Sequence, residues 1–336
     1  MQSVNAEYGK PLADDLPILS FGEPLVVFVH SGRDGIAKER HFHADCAGAE
    51  LNTAIGLARL GLPVVFSAAV GDDSFGEFLL RELRAEGIDV SPVTTVPHSQ
   101  TGVFFKMNTG LQRDPRIDYY RSTSPMASGE WEAESCVRMT KSELFSWVHT
   151  TGITRMVSTP TRIEADRILH AALEIGIPIS FDINIRLKMG DVASWRQNLQ
   201  DVLPLITWLF LGDTEAKLLY NTGDAQHVYA KLLHSGFSGH GLVIKQGESG
   251  ATAVTTDNMY HTDAVHVPQV VDTVGAGDGF NAGFIAWIRA GWTVENALTL
   301  GSLIGAHAVT SEGDSSGYPT WSTVKQHLFD ENEVLR

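Results

Sequence analysis

The chain has 336 residues, 43% of them hydrophobic, and a formal net charge of −15, enough for one large α/β domain or two modest ones. The acid excess disfavours nucleic acid and anionic membranes as partners, and no stretch reaches the run of about 18 apolar residues that a membrane span needs. Two cysteines, Cys46 and Cys136, provide neither a disulfide framework nor a metal cluster and read as small buried apolar residues in a reducing cytoplasm.

Residues 1–16, with Asp14 and Asp15, read as a loose leader without a basic-then-apolar signal pattern. Leu16 to Phe21 and Leu25 to His30 are apolar strands separated by Gly22-Glu23-Pro24, and His41 to Ala44 alternates as a further short strand. Ala47 to Ala54 is a small-residue turn entering a helix that stops at Gly61. Val64 to Val70 is a buried strand by its β-branched run, and Ser74 with Glu77 has the spacing of a capping box for the helix that ends at Gly87. Thr101 to Met107 and Arg116 to Arg121 are predicted strands joined by a polar loop, Asn108 to Pro115. Together with 25–30 and 41–46 they make a small sheet apart from the main βα pattern. Alternation puts Ile117, Tyr119 and Arg121 on one face.

Trp147 to Gly152 is the next strand, and Thr161 with Glu164 predicts a second capping box for a helix closed by Gly176. Ile179 to Arg186 reads as one strand whose carboxyl end carries Asp182, Asn184 and Arg186, where open parallel sheets bind ligands. Leu205 to Leu211 is a buried strand followed by a helix starting at Gly212, with Glu215 as an acid in its first turn. Gly241 to Lys245 leads into the glycine turn Gln246 to Ala251, then strands 251–256 and 259–265. After Gly291, Thr293 caps a helix carrying Ala297, Leu300, Ile304 and Ala308.

Asp272-Thr273-Val274-Gly275-Ala276-Gly277-Asp278-Gly279-Phe280 organises the rest. Glycines at 275, 277 and 279 free the backbone of Cβ atoms. Phe280, Phe284 and Ile288 then form one helical stripe. The glycines therefore lie at a helix N-terminus, where open N–H groups and the dipole favour an anion. A carboxylate among them would repel a resting phosphate, but it suits a site that deprotonates a hydroxyl beside a phosphoryl group. Spacing alone leaves this even with an ordinary glycine-rich turn. A dinucleotide loop fits poorly this close to the C-terminus, and GxxxxGK[ST] does not occur.

The nonapeptide resembles the C-terminal signature of the ribokinase/PfkB sugar-kinase family, and further landmarks follow in family order along nearly the whole chain. The resemblance implies an α/β, ribokinase-like fold, with a central, mostly parallel sheet between helices on both faces. It also implies a single kinase domain over 17–330 and a β-sheet lid from strands at about 25–46 and 101–122. Asp278 would be the catalytic base, with Gly275, Ala276 and Gly277 in the anion turn. Gly48 and Asn52 would bind sugar, while Lys245, Gly247, Gly250 and Gly277 would face ATP and His307 would border adenine. Glu215 would organise Mg²⁺ through water, and Asp272 with carbonyls around Ser311 to Ser315 would hold a monovalent cation such as K⁺. Ala47 stands where the family has a second glycine, and Gly212 where it has asparagine.

An arginine in a sugar pocket points to an anionic substrate, although a solvated strand residue is the commoner reading of Arg121. Tyr119-Tyr120-Arg121 and Asp182-x-Asn184-x-Arg186 resemble the 2-keto-3-deoxygluconate kinases, in which both arginines serve the sugar-acid carboxylate. Phe104 stands where those kinases have tyrosine. The expectation is an ATP- and Mg²⁺-dependent kinase acting on the primary hydroxyl of a sugar acid. A kinase of a neutral sugar or nucleoside is the first rival, and a non-catalytic nucleotide- or sugar-binding regulator the second. An exposed edge of the lid sheet invites pairing, so a homodimer through it is also expected.

Overall fold

The structure, a computed structural model, describes residues 16–30, 36, 40–107 and 116–333, with side chains of the last helix, Trp321–Glu333, through Leu328. Residues 1–15 of the expected leader and the whole loop Asn108 to Pro115 lie outside the described residues, as do 31–35 and 37–39. Among the described residues, no helix is long and apolar enough to cross a membrane.

Fourteen strands are described: β1 Ile18–Phe21, β2 Leu25–His30, β3 Phe42–Ala47, β4 Val64–Ser67, β5 Ala69–Gly71, β6 Thr94–Val96, β7 Val103–Met107, β8 Arg116–Tyr120, β9 Trp147–Thr151, β10 Ile179–Asp182, β11 Trp208–Gly212, β12 Gly241–Lys245, β13 Ala251–Thr255 and β14 Met259–Thr262. Eight form the main sheet in the order β14-β13-β12-β11-β10-β9-β1-β4. It is parallel from β12 to β4, and β13 and β14 add an antiparallel edge.

Near-continuous apolar strands are what a sheet covered on both faces requires. Alternate side chains enter opposite layers. Leu19, Val65, Val148, Leu209 and Leu242 pack with the helices Thr159–Ile175, Val192–Val202 and Ala225–His234. Ile18, Val64, Trp147, Phe210 and Val243 pack with Ala49–Arg59, Ala276–Arg289 and Val294–Ala308. The chain adds β4 on one side of β1 and β9 on the other, so winding reverses there. Crevices at such reversals, outside the carboxyl strand ends, are where these sheets bind ligands.

A separate four-stranded sheet, β3-β2-β7-β8, has β2 and β7 parallel and its outer pairs antiparallel. It is the expected small sheet, with β3 running on to Ala47.

Several local expectations are corrected. The predicted strand Val64 to Val70 breaks after Ser67, and its second piece pairs with β6 instead. Strand 179–186 stops at Asp182, because Asn184 takes φ 48° and turns the chain out of the sheet. The strand predicted from Leu205 starts at Trp208, after a 3₁₀ turn over Leu203–Leu205, and that predicted over 259–265 ends at Thr262. Both predicted capping boxes shift. Asp73 rather than Ser74 caps Ser74–Ala85 by accepting from the Gly76 amide, and Ser158 rather than Thr161 caps Thr159–Ile175. In each case an earlier short polar side chain takes the N-cap position. Cys46 and Cys136 are free and buried, and burial pushes the Cys46 thiol up to about 12.

Candidate active site

A cleft of about 1430 Å³ opens at the carboxyl ends of the central strands, under the four-stranded sheet. Its floor is the first turn of the helix Ala276–Arg289. Gly275 at the N-cap has φ 81°, a left-handed conformation that admits glycine far more readily than other residues. Tyr318 donates its hydroxyl to the Gly275 carbonyl at 2.6 Å. The Ala276 amide makes a long 3.5 Å bond to the Thr273 carbonyl. The first-turn amides that follow lack acceptors within their own helix, so the turn presents N–H groups to the cleft.

Asp278 is buried on that turn. Its Oδ2 accepts from Asn52 Nδ2 at 2.8 Å and its Oδ1 from Asn184 Nδ2 at 3.4 Å. These donors come from two other elements, the helix Ala49–Arg59 and the turn after β10. Burial raises the carboxyl strongly. The Asn52 bond pulls it back, the nearby Asp182 charge raises it, and Lys245 and Arg186 lower it; the group settles at about 7. A carboxylate poised there accepts a proton near neutral pH without being permanently protonated. The buried Asn52 Oδ1 has no hydrogen-bond partner among the described residues, and an acceptor held beside Asp278 suits a ligand hydroxyl.

Lys245, ending β12, donates to Asp182 Oδ2 at 2.5 Å and approaches the Gly277 carbonyl at 3.5 Å. Asn281 also donates to that Asp182 oxygen at 2.7 Å. Glu215 accepts from the Ile185 amide through one oxygen and from the Gly212 amide through the other, both at 2.6 Å. Burial and the Asp182 charge raise its pKa. Among the described residues, no group of three or more His, Cys, Asp or Glu could cage a metal. The oxygens present at Glu215 fit a Mg²⁺ that keeps several waters and takes its remaining ligands from phosphates.

The cleft's outer wall is Phe104 on β7 and Tyr119 on β8, whose ring centroids lie 5.2 Å apart. Arg121 sits at this wall in an ion pair with the buried Glu23, which also accepts from Ser124. Lys188 donates to the Ile117 carbonyl at 2.5 Å and lies over the Tyr119 ring. Arg186 occupies the exposed rim and donates Nη1 to the Ile185 carbonyl at 3.2 Å.

Residues 18–321 match the model of the pfkB family carbohydrate kinases. The chain belongs to the pfkB family of carbohydrate kinases. It is a phosphotransferase with an alcohol group as acceptor. A 2-dehydro-3-deoxygluconokinase of Bacillus subtilis (strain 168) is 33% identical over 324 residues, which cover 95% of this chain and 97% of the relative. The crystal structure of a PfkB protein from Polaromonas sp. JS666 superposes with a TM-score of 0.81 at 29% identity, covering 92% of this chain and 99% of that one. A putative ribokinase II from E. coli, solved in complex with ATP and Mg²⁺, gives a TM-score of 0.82 at 24% identity, covering 93% and 99%.

The pfkB cleft brings together most of the residues singled out in the sequence: Gly48, Asn52, Phe104, Tyr119, Arg121, Arg186, Glu215, Lys245, Gly275, Gly277 and Asp278. It does not include Gly247, Gly250 or His307 among its walls. Gly247 and Gly250 shape the 3₁₀ turn after β12, and the His307 ring packs on His327 of the last helix with centroids 5.3 Å apart. Asp272 pairs with Lys106. Glu23, Lys188, Asn281 and Lys106 were missed. Their partners lie tens to hundreds of positions away, so no local pattern marks them. Asn184 had a signal, the alternation after β10, but its reach to Asp278 depends on the left-handed turn.

The acid limb of kcat/KM in this kinase is expected near pH 7, because only ionised Asp278 accepts a proton. Below that point the rate should fall by about tenfold per pH unit. Removing the Asn52 amide donor in Asn52→Ala withdraws a bond that lowers the Asp278 pKa, so the limb should move to higher pH. A profile from pH 5 to 9 checks both; a wild-type kcat/KM that stays flat down to pH 5 would show that the carboxyl of the base is not raised by burial.

Proposed function

We propose that this kinase transfers the γ-phosphoryl group of ATP to the primary hydroxyl of a sugar acid, with 2-keto-3-deoxygluconate as the substrate that fits best. The observation carrying the chemistry is Asp278, a buried carboxylate near pKa 7 at a helix N-terminus, with the unpartnered Asn52 oxygen beside it. Asp278 takes the hydroxyl proton as the substrate oxygen bonds to the γ-phosphorus and the bond to the ADP oxygen breaks. Amides of Ala276, Gly277 and Asp278 stabilise charge on the transferring group, as fixed dipoles do in a site closed to water. Lys245, held by Asp182, lies where the phosphates pass, and Gly247, Gly250 and His307 are assigned to the more distant nucleotide side. Glu215 would hold the waters of a bound Mg²⁺, which would supply positive charge against the phosphates. Phe104, Tyr119 and the small sheet above them exclude water from the transfer.

The sugar-acid assignment rests on the cationic rim. Arg186 and Lys188 both line the cleft, and a guanidinium has five donors in a planar fork suited to a carboxylate. The name of the B. subtilis relative agrees with it. Arg121 weakens it in one respect, since Glu23 neutralises that guanidinium, and a neutral ketose remains the second reading for that reason. The test is ADP release across 2-keto-3-deoxygluconate, gluconate, fructose, ribose and adenosine. Turnover restricted to the keto acid is expected, with Arg186→Ala raising its KM by about 10- to 100-fold and leaving the KM for ATP unchanged. Equal turnover of fructose, or a variant altered only towards ATP, would reject the carboxylate role.

A further inference from the structure

Lys106 is a buried lysine that the proposed transfer does not use. It lies on β7, two residues beyond Phe104, and both side chains point inward, away from solvent. The Lys106 side chain is 2% exposed, and its ammonium pairs with Asp272 and, at 3.5 Å, with Asp314 Oδ1. A buried ammonium persists only where carboxylates compensate its lost hydration. Here the two carboxylates belong to the two segments that hold the anion turn. Asp272 accepts from the Val274 amide at 3.1 Å and opens the nonapeptide. The Asp314 carbonyl lies hard against Gly275, so close that a Cβ built there would stand 1.7 Å from it.

The family resemblance placed a monovalent cation at Asp272 and the carbonyls around Ser311 to Ser315. The residues present do not fit one. A positive charge already lies between the carboxylates, and a second cation beside it would be repelled across a dry interior. Asp45 faces the same loop, accepting from Ser316 Oγ at 3.1 Å. We propose that the Lys106 ammonium is a tethered monovalent cation: it bridges Asp272 and Asp314, holds the anion turn in shape, and makes the enzyme independent of K⁺. Lys106 is thus a positioning residue. It ties the strand carrying the sugar wall to the turn that receives the phosphoryl group.

The inference rests on the kinase reading for its effect on rate, but its stability readout does not. With the wild-type chain at constant ionic strength, exchanging tetramethylammonium for K⁺ or NH₄⁺ should leave Tm unchanged without nucleotide, and turnover within about twofold, since a filled site leaves no ion to link to folding or rate. Lys106→Ala should lower kcat by about 10- to 100-fold through loss of alignment, with a smaller change in KM. K⁺ or NH₄⁺, but not tetramethylammonium, should then raise both its Tm and its rate saturably. A wild-type Tm or rate that climbs saturably with K⁺ would overturn the proposal, and that test stands even where the variant does not fold. A Lys106→Ala enzyme with wild-type rate and Tm in tetramethylammonium would overturn it equally. Absence of turnover on every sugar would count against the kinase substrate, leaving the Tm titration to decide the cation.

Discussion

Asp278→Asn is expected to lower kcat by about 10³-fold and, at pH 8, to raise Tm. The two effects have one cause. The carboxyl is held at about 7 against an ordinary value of 3.8, chiefly by burial. The folded chain therefore binds this proton more tightly than the unfolded chain does. For an acid shifted in that direction, stability falls as pH rises from about 4 through 7, and the ionised group is a net cost above that range. The shift sets an upper bound of about 4 kcal/mol on that cost. Asparagine removes the charge while keeping the shape. One of its ends meets an amide donor it cannot accept from, since Asn52 and Asn184 both donate to the native carboxylate, and that mismatch returns about 1–3 kcal/mol. A net gain of at most about 1–3 kcal/mol remains, seen as a Tm rise that is larger at pH 8 than at pH 5. ATP should still bind, because the anion turn keeps its amides. A variant that turns over normally would end the base assignment. One less stable than wild type at pH 8 would show that the buried charge is better compensated than its pKa implies.

The same arrangement explains what could be read from the sequence. The nonapeptide was legible because its constraints are local: a left-handed residue, a cluster of open amides and an acid within four positions. Runs such as Val64 to Phe66 and Leu209 to Leu211 were legible as strands because covered parallel sheets need continuous apolar sequence. The end of β10 was not, because Ile183 and Ile185 continue the apolar alternation while Asn184 leaves the sheet to reach Asp278. The N-caps moved to Asp73 and Ser158 because neighbouring short polar residues compete for the position with similar energies. Arg121 was read from its strand as a carboxylate ligand; it lines the cleft, but it is paired with Glu23, which lies in the turn after β1. Lys106 looked like one more strand residue; only the pairing of β7 with β2 and β8, and the return of Asp272 and Asp314, show an ion pair.

Gly275→Ala and Gly277→Ala, two residues apart in one turn, should fail in opposite ways. At Gly275 the backbone has φ 81°, and an added Cβ would fall 1.7 Å from the Asp314 carbonyl oxygen. Left-handed strain alone costs roughly 1–2 kcal/mol. The clash is with backbone that cannot rotate away, so the turn or the Asp314 loop must shift. Overall destabilisation of about 3 kcal/mol or more is expected, together with loss of turnover, because the amides would no longer converge. At Gly277 the backbone is helical and the nearest atom to an added Cβ is Lys245 Nζ, at 3.1 Å. That is the mobile end of a side chain, and alanine favours the helix over glycine by about 1 kcal/mol. Gly277→Ala should therefore keep or raise Tm. Its methyl would nevertheless stand where the transferring group approaches and would press on the lysine that pairs with Asp182, so kcat should fall by about 10- to 100-fold. Melting curves and single-turnover rates on the two variants separate the cases. If Gly277→Ala were as unstable as Gly275→Ala, the turn would be a packing element throughout; if it were fully active, the phosphoryl group would pass elsewhere.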